Sequence, residues 1–145
     1  MTTLEHVIAA VVATHDRPVL LASRSLPSIA AQTRRPDYLI VVDDSEAQFR
    51  KANHETIDGL GMPETKIVYL GNYRTSGLGG AMNTALAWLQ MNAPDSFVAI
   101  LDDDDAWDPG YLESCEAAVK RGNLDMVAAG LIRHESDFSA DLLLS

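Results

Sequence analysis

Short apolar runs alternate with longer amphipathic stretches along this chain. His6 to Ala13 is almost continuously apolar, the pattern of a strand buried on both faces. Tyr38 to Val42, Lys66 to Leu70, Phe97 to Leu101 and Met126 to Ile132 repeat it. Between them lie stretches of helical character. Pro18 suits the first turn of a helix running to about Thr33, with Pro27 predicting a kink or an early stop. Glu46 to Leu60 reads as a polar helix closed by Gly59 and Gly61. Ala81 to Met91 carries an apolar stripe, and Pro109 to Arg121 is a helix with Gly122 after its end. Ser136 to Ser145 takes no assignment.

Regular alternation of strand and helix predicts a three-layer α/β/α sandwich with a mostly parallel, Rossmann-like sheet. Ligands of such sheets bind beyond the carboxyl ends of the strands. Four polar features fall there: Thr14 to Arg17, Asp43-Asp44, the glycine-rich loop Gly71 to Gly80, and the run Asp102 to Asp105. Their convergence on one sheet edge weighs more than any one of them.

The remaining composition narrows the possibilities. With 145 residues, 47% hydrophobic and 22% charged, the chain is sized for one globular domain. A net charge of -10 excludes a basic nucleic-acid surface. A single cysteine, Cys115, leaves no intramolecular disulfide framework and fits a reducing, cytoplasmic setting. Neither a signal-peptide pattern nor an apolar run of about 18 residues for a transmembrane segment is visible.

The four aspartates carry the sharpest chemistry. Adjacent carboxylates repel one another unless they are solvated or share a cation, and Mg²⁺ and Mn²⁺ take oxygen ligands. Extended backbone would turn Asp102 and Asp104 to one side and Asp103 and Asp105 to the other. A solvated acidic turn, with Asp108 capping the next helix, is the alternative. Of Asp43-Asp44, one carboxylate is a hydrogen-bond acceptor for a bound group; read alone, the pair is better taken as a helix start, with Asp44 or Ser45 as the cap. Gly77, Gly79 and Gly80 precede a helix and allow backbone N–H groups to approach an anion, or allow close helix packing. Arg74 is placed to reach a diphosphate or simply to face solvent. Trp107 suits a pocket wall or the core. His15 shows no metal-ligand spacing with another histidine, and Cys115 reads as packing.

Taken together, these motifs resemble family 2 glycosyltransferases of the GT-A fold. Val11 to Pro18 resembles that family's opening strand and loop, and Val41 to Ser45 its second strand end. Gly77 to Asn83 is similar to its glycine-rich loop and helix. Ile100 to Asp105, with Trp107 and Pro109, is similar to its metal-binding Asp-x-Asp (DXD) segment. The set keeps the family's order over roughly residues 6 to 132. It implies a UDP- or GDP-sugar donor, contacted by Thr14, Asp16 and Arg17, with Asp44 pairing with the base. Asp102 or Asp103 would touch the ribose, and Asp104 would hold Mg²⁺ or Mn²⁺ on the diphosphate; the alternation above adds Asp102 to the metal ligands. Arg74 and Gly77 complete the expected donor contacts.

The chain departs from that pattern at Ala13, where Pro is common, and at Asp16, where Asn is common. Nothing up to Ser145 matches the family's general-base motif, so the catalytic base is unassigned. The expectation is the donor-binding half of a glycosyltransferase, 1–145, without an acceptor half, which favours association with a further copy or subunit. Two other readings stand beside it. One is a catalytically inactive nucleotide-sugar-binding module. The other is a response-regulator-like phosphoacceptor domain, suggested by Val41 to Ser45, although a receiver carries its acidic pair after the first strand.

Overall fold

The computed structural model describes residues 6–123, 125–127, 131–133 and 142–144. The chain divides into two compact units, Met1–Leu112 and Glu113–Ser145. The first unit contains every feature singled out from the sequence as a candidate site.

Four parallel strands form its sheet: β1 (Ile8–Thr14), β2 (Tyr38–Asp43), β3 (Lys66–Gly71) and β4 (Phe97–Asp102), in the order β3-β2-β1-β4. The register pairs Thr14 with Asp43, Asp43 with Gly71, and Ala13 with Asp102. All four strands therefore end level with one another. The chain moves outward from β1 to β3 and then returns to the other side of β1. That reversal makes the gap between β1 and β4 the topological switch point, where open α/β sheets bind ligands.

Alternation along the strands supplies two cores, one on each face. Ala10, Val12, Leu39, Val41 and Leu101 face one way, toward Leu21, Leu26, Ile29 and Ile57. Ala9, Val11, Ile40 and Val42 face the other way, toward Ala81, Ala85 and Leu89 of α4 (Leu78–Asn92). The first face is covered by the helical stretch Leu21–Ser25, α2 (Leu26–Ala30) and α3 (Ala47–Asp58), with α1 (Pro18–Leu20) leading into them. β1 and β2 are central and fully sandwiched. The edge strand β4 leaves Val98 and Ile100 exposed, so its apolar run is less buried than its composition suggests. The α/β architecture expected from the sequence is the one observed.

Three local details differ from expectation. Pro27 does not stop its helix. The chain passes through a π-helical stretch, Leu21–Ser25, in which the Leu26 N–H bonds to the Leu21 carbonyl. A wider turn relieves the clash between the proline ring and the carbonyl four residues earlier. α5 spans Tyr111–Gly122, starting two residues late, with the Tyr111 N–H bonded to the Asp108 carbonyl at 3.0 Å. Gly122 is its last helical residue, and Asn123 takes the left-handed conformation beyond it.

The predicted fifth strand is the larger correction. Among the described residues, β5 covers Leu131–Arg133 and pairs antiparallel with β6 (Leu142–Leu144) in a separate two-stranded ladder. Periodicity identifies a strand but not its partner. Part of the predicted range, 128–130, lies outside the described residues.

Candidate functional site

The strand ends are tied together by carboxylates. Asp103 is buried directly after β4 and points inward. Its Oδ2 accepts the Thr14 hydroxyl at 2.9 Å and the His15 N–H at 3.3 Å, and its Oδ1 lies 3.4 Å from Arg17 Nη1. A buried carboxylate is costly unless hydrogen bonded, and these donors, from the last residue of β1 and the loop after it, supply the bonds. Asp103 thereby closes the switch point from the β4 side.

The other three aspartates are less buried, Asp102 and Asp105 being exposed and Asp104 half-exposed. The strand ends at Asp102, and a turn follows in which the Asp105 N–H bonds to the Asp102 carbonyl at 3.1 Å. That turn breaks the strict alternation. Asp105 consequently joins Asp102 and Asp104 instead of Asp103, and one carboxylate oxygen from each of the three lies within 4.8 Å of the others. Mutual repulsion shows in Asp105. Its carboxyl is raised above the ordinary range by partial burial and by the neighbouring Asp104 and Asp102. Arg17 Nη1 sits 2.9 Å from Asp104 Oδ2 and offsets part of the charge.

Oxygens bound to one Mg²⁺ at about 2.1 Å lie no more than about 4.2 Å apart. The three carboxylate oxygens, all within 4.8 Å of one another, are close to that spacing, and Asp102 and Asp105 are exposed. An all-oxygen, anionic, solvent-facing set fits a hard divalent cation.

Asp44 does not cap a helix. α3 begins after Glu46, whose N–H is bonded by Asp16 Oδ1 at 2.9 Å. The Asp44 carboxylate instead organises the glycine loop. It accepts the Gly77 N–H at 2.8 Å, the Ser76 hydroxyl at 2.9 Å and the Asn72 amide at 3.1 Å. Burial pulls its pKa upward, but the Gly77, Ser76 and Asn72 donors outweigh burial and hold it below the ordinary carboxylate range. Gly77 has φ 111°, a conformation costly for any other residue. At Gly80, a Cβ would stand 1.7 Å from the Thr75 carbonyl oxygen. The loop packs too closely for a side chain there.

Asp43, fully buried, braces the same strand end. It accepts the Ser45 N–H at 2.9 Å, the Asn53 amide at 3.0 Å and the Tyr69 hydroxyl. Burial raises its pKa, yet those hydrogen bonds prevail and lower it. Tyr69 shifts upward, through burial and its bond to Asp43.

The loop after β1 is knitted to the loop after β2. Asp16 adopts φ 53°, its N–H bonds to Ser45 Oγ at 2.8 Å, and His15 Nδ1 lies 2.8 Å from the Asp44 carbonyl. That carbonyl and the nearby Asp16 carboxylate raise the His15 pKa. Arg74 is exposed, with its guanidinium 5.1 Å from the Tyr73 ring and its N–H bonded to Asn72 Oδ1. Trp107 is half-buried against the first core and stacks on Tyr111 at 5.0 Å.

The structure thus gathers Thr14, Asp16, Arg17, Asp44, Gly77 and Asp102 to Asp104 around one sheet edge, with Arg74 exposed in the loop beyond β3. Sequence reasoning missed Asn72, Ser76, Thr84, Asn53 and Tyr69. Asn72 Oδ1 accepts the Thr84 hydroxyl at 2.8 Å, linking the loop to α4. An asparagine directly after a strand was visible, but its partner Asp44 lies 28 residues away.

The open parallel sheet thus carries the aspartate run beyond β4, at the switch point, and the glycine-rich loop beyond β3. The chain belongs to glycosyl transferase family 2, whose sequence model matches residues 9–143. The galactofuranosyltransferase GlfT1 of Mycolicibacterium smegmatis is 43% identical over 104 residues, covering 71% of this chain and 31% of that protein. TarS 1-349 of S. aureus, solved in complex with UDP, superposes with a TM-score of 0.62 at 22% identity, over 81% of this chain and 33% of its own. The mannosyltransferase PcManGT of Pyrobaculum calidifontis, solved with GDP-Man and Mn²⁺, gives 0.60 at 22% identity, over 81% and 32%. At such identity the likeness shows the GT-A fold. The chain spans about a third of the length of the relatives it matches. The receiver-domain alternative finds no support in these likenesses. No described helix is long and apolar enough to cross a membrane.

Proposed function

We propose that this chain binds the nucleotide-sugar donor of a metal-dependent glycosyltransferase, at the switch point between β1 and β4. The observation that carries this reading is the grouping of Asp102, Asp104 and Asp105 at the strand mouth, beside Arg17 and the loops that Asp44 and Asp103 hold in place. Asp104 and Asp102 would ligate Mg²⁺ or Mn²⁺, with Asp105 as a further oxygen donor. A bound divalent ion supplies charge stabilisation to a departing nucleoside diphosphate. The chain's own residues orient the donor around it. Thr14 to Arg17 form the floor, Arg17 and Arg74 offer guanidinium groups to phosphate oxygens, and the Asp44-braced loop at Gly77 borders the nucleoside side. Two structural neighbours, solved with UDP and with GDP-Man plus Mn²⁺, support the donor class. Because the chain spans a third of its relatives' length, the proposal assigns to it donor binding and leaving-group stabilisation.

Isothermal titration with UDP and GDP, with and without Mn²⁺, tests the proposal. Binding is expected only with the metal present. Absence of metal-dependent binding to any nucleoside diphosphate sinks it.

A further inference from the structure

Arg17 pairs with a carboxylate of the acidic cluster. Arg17 Nη1 lies 2.9 Å from Asp104 Oδ2, and Asp104 is one of the three aspartates whose oxygens converge within 4.8 Å. The backbone of Arg17 is fixed, since its carbonyl accepts the Leu21 N–H at 3.0 Å as the first helix begins. Its side chain is half exposed, so the guanidinium can swing while its stem stays in place. The second contact, to Asp103 at 3.4 Å, is long, and Asp103 keeps Thr14 and His15 as donors without it.

We infer that Arg17 is the counter-charge of the acidic turn and exchanges partners on ligand binding, releasing Asp104 to the cation and moving to the donor's diphosphate. This rests on the donor-site reading above. Two cations on one carboxylate repel each other, so a divalent ion arriving alone binds weakly while Arg17 stays on Asp104. A diphosphate arriving with the ion gives the guanidinium fork a better, bidentate partner. Metal and nucleotide therefore strengthen each other's binding through Arg17, by the same factor in either direction. An arginine that only clamped the turn would show no such coupling.

The experiment titrates Mn²⁺ into the full chain by electron paramagnetic resonance, with and without UDP or GDP, for the wild type, Arg17→Ala and Arg17→Lys. Unfolding midpoints verify that each variant is folded. Arg17→Ala is expected to bind Mn²⁺ alone about threefold more tightly, the size of one half-exposed ion pair. It should bind the nucleoside diphosphate with saturating Mn²⁺ about tenfold more weakly. Arg17→Lys, which keeps the charge but loses the fork, should fall between. Unchanged or weaker Mn²⁺ binding by Arg17→Ala overturns the exchange, while metal-dependent nucleotide binding by the wild type would leave the donor-site reading standing. Tighter Mn²⁺ binding with no nucleotide bound by any form would overturn both.

Discussion

The Thr14 hydroxyl donates to the Asp103 carboxylate at 2.9 Å across 89 residues of sequence, joining the ends of β1 and β4 at the sheet's switch point. Both side chains are buried, so the bond is a fixed part of the floor beneath the acidic turn. Asp103 and its neighbour Asp104 consequently differ in setting, one buried beneath the turn and the other half-exposed and paired with Arg17.

Removing the Thr14 donor should weaken the fold. Thr14→Val keeps the side-chain volume but leaves a buried carboxylate short of one hydrogen bond, which should cost about 1–3 kcal/mol in urea denaturation. Thr14→Ser, which retains the hydroxyl, should lose less. Equal losses for the two would show that packing, not the hydrogen bond, is what Thr14 contributes.

Asp103 and Asp104 should separate cleanly by mutation. Asp104→Asn is expected to lower Mn²⁺ affinity by at least about tenfold, a loss that even outer-shell partners can produce, with little change in unfolding. For Asp103→Asn the larger change should be in stability, since the amide cannot accept the same three donors on both oxygens. Mn²⁺ titration alongside thermal unfolding reads both. Equal metal affinities in the two variants would contradict the division.

The glycines of the loop should not be equivalent. Gly80→Ala places a Cβ against the Thr75 carbonyl oxygen, at 1.7 Å before any adjustment. Backbone must move, so a lowered unfolding midpoint and loss of nucleotide affinity are expected. At Gly79 a Cβ meets nothing within 4 Å. Gly79→Ala, at the second position of α4, should be neutral or stabilising by up to about 1 kcal/mol.

Stability should fall at acid pH through Asp43 and Asp44. Both carboxyls are lowered in the folded protein relative to an ordinary value of 3.8. Their contribution is complete above that value and is lost as pH falls through the folded pKa. His15 runs the other way: its pKa is raised above 6.5, so its contribution is complete below 6.5 and is lost as pH rises through the folded pKa. Denaturant midpoints from pH 3 to 8 measure both. Asp43→Asn should flatten the acid limb, and His15→Ala should remove the decline above about pH 6.5. A wild-type acid limb retained in Asp43→Asn would exclude that residue as its source.

Much of this site was legible in the chain. Apolar runs of strand length ending in polar residues located Thr14, Asp44 and Asp102 at carboxyl ends; in the two central strands the run is apolar because both faces are buried. The direction of the aspartates was only half legible. Alternation holds while backbone is extended, and it failed at Asp105 because the strand stops at Asp102 and turns. The role of Asp44 as the brace of the glycine loop was not legible, since Asn72, Ser76 and Gly77 are remote in sequence and carry no pattern that names their partner.

The sequence by itself determined the order of elements from β1 to α5, the α/β class and the four polar loop segments, since local periodicity and strand-end chemistry are written residue by residue. The tertiary structure decided the strand order β3-β2-β1-β4, and with it which loops meet. It also decided that Asp103 turns inward to Thr14 while Asp104 meets Arg17. Those outcomes depend on contacts between residues nearly ninety positions apart, which burial and hydrogen-bond satisfaction select and no local pattern encodes.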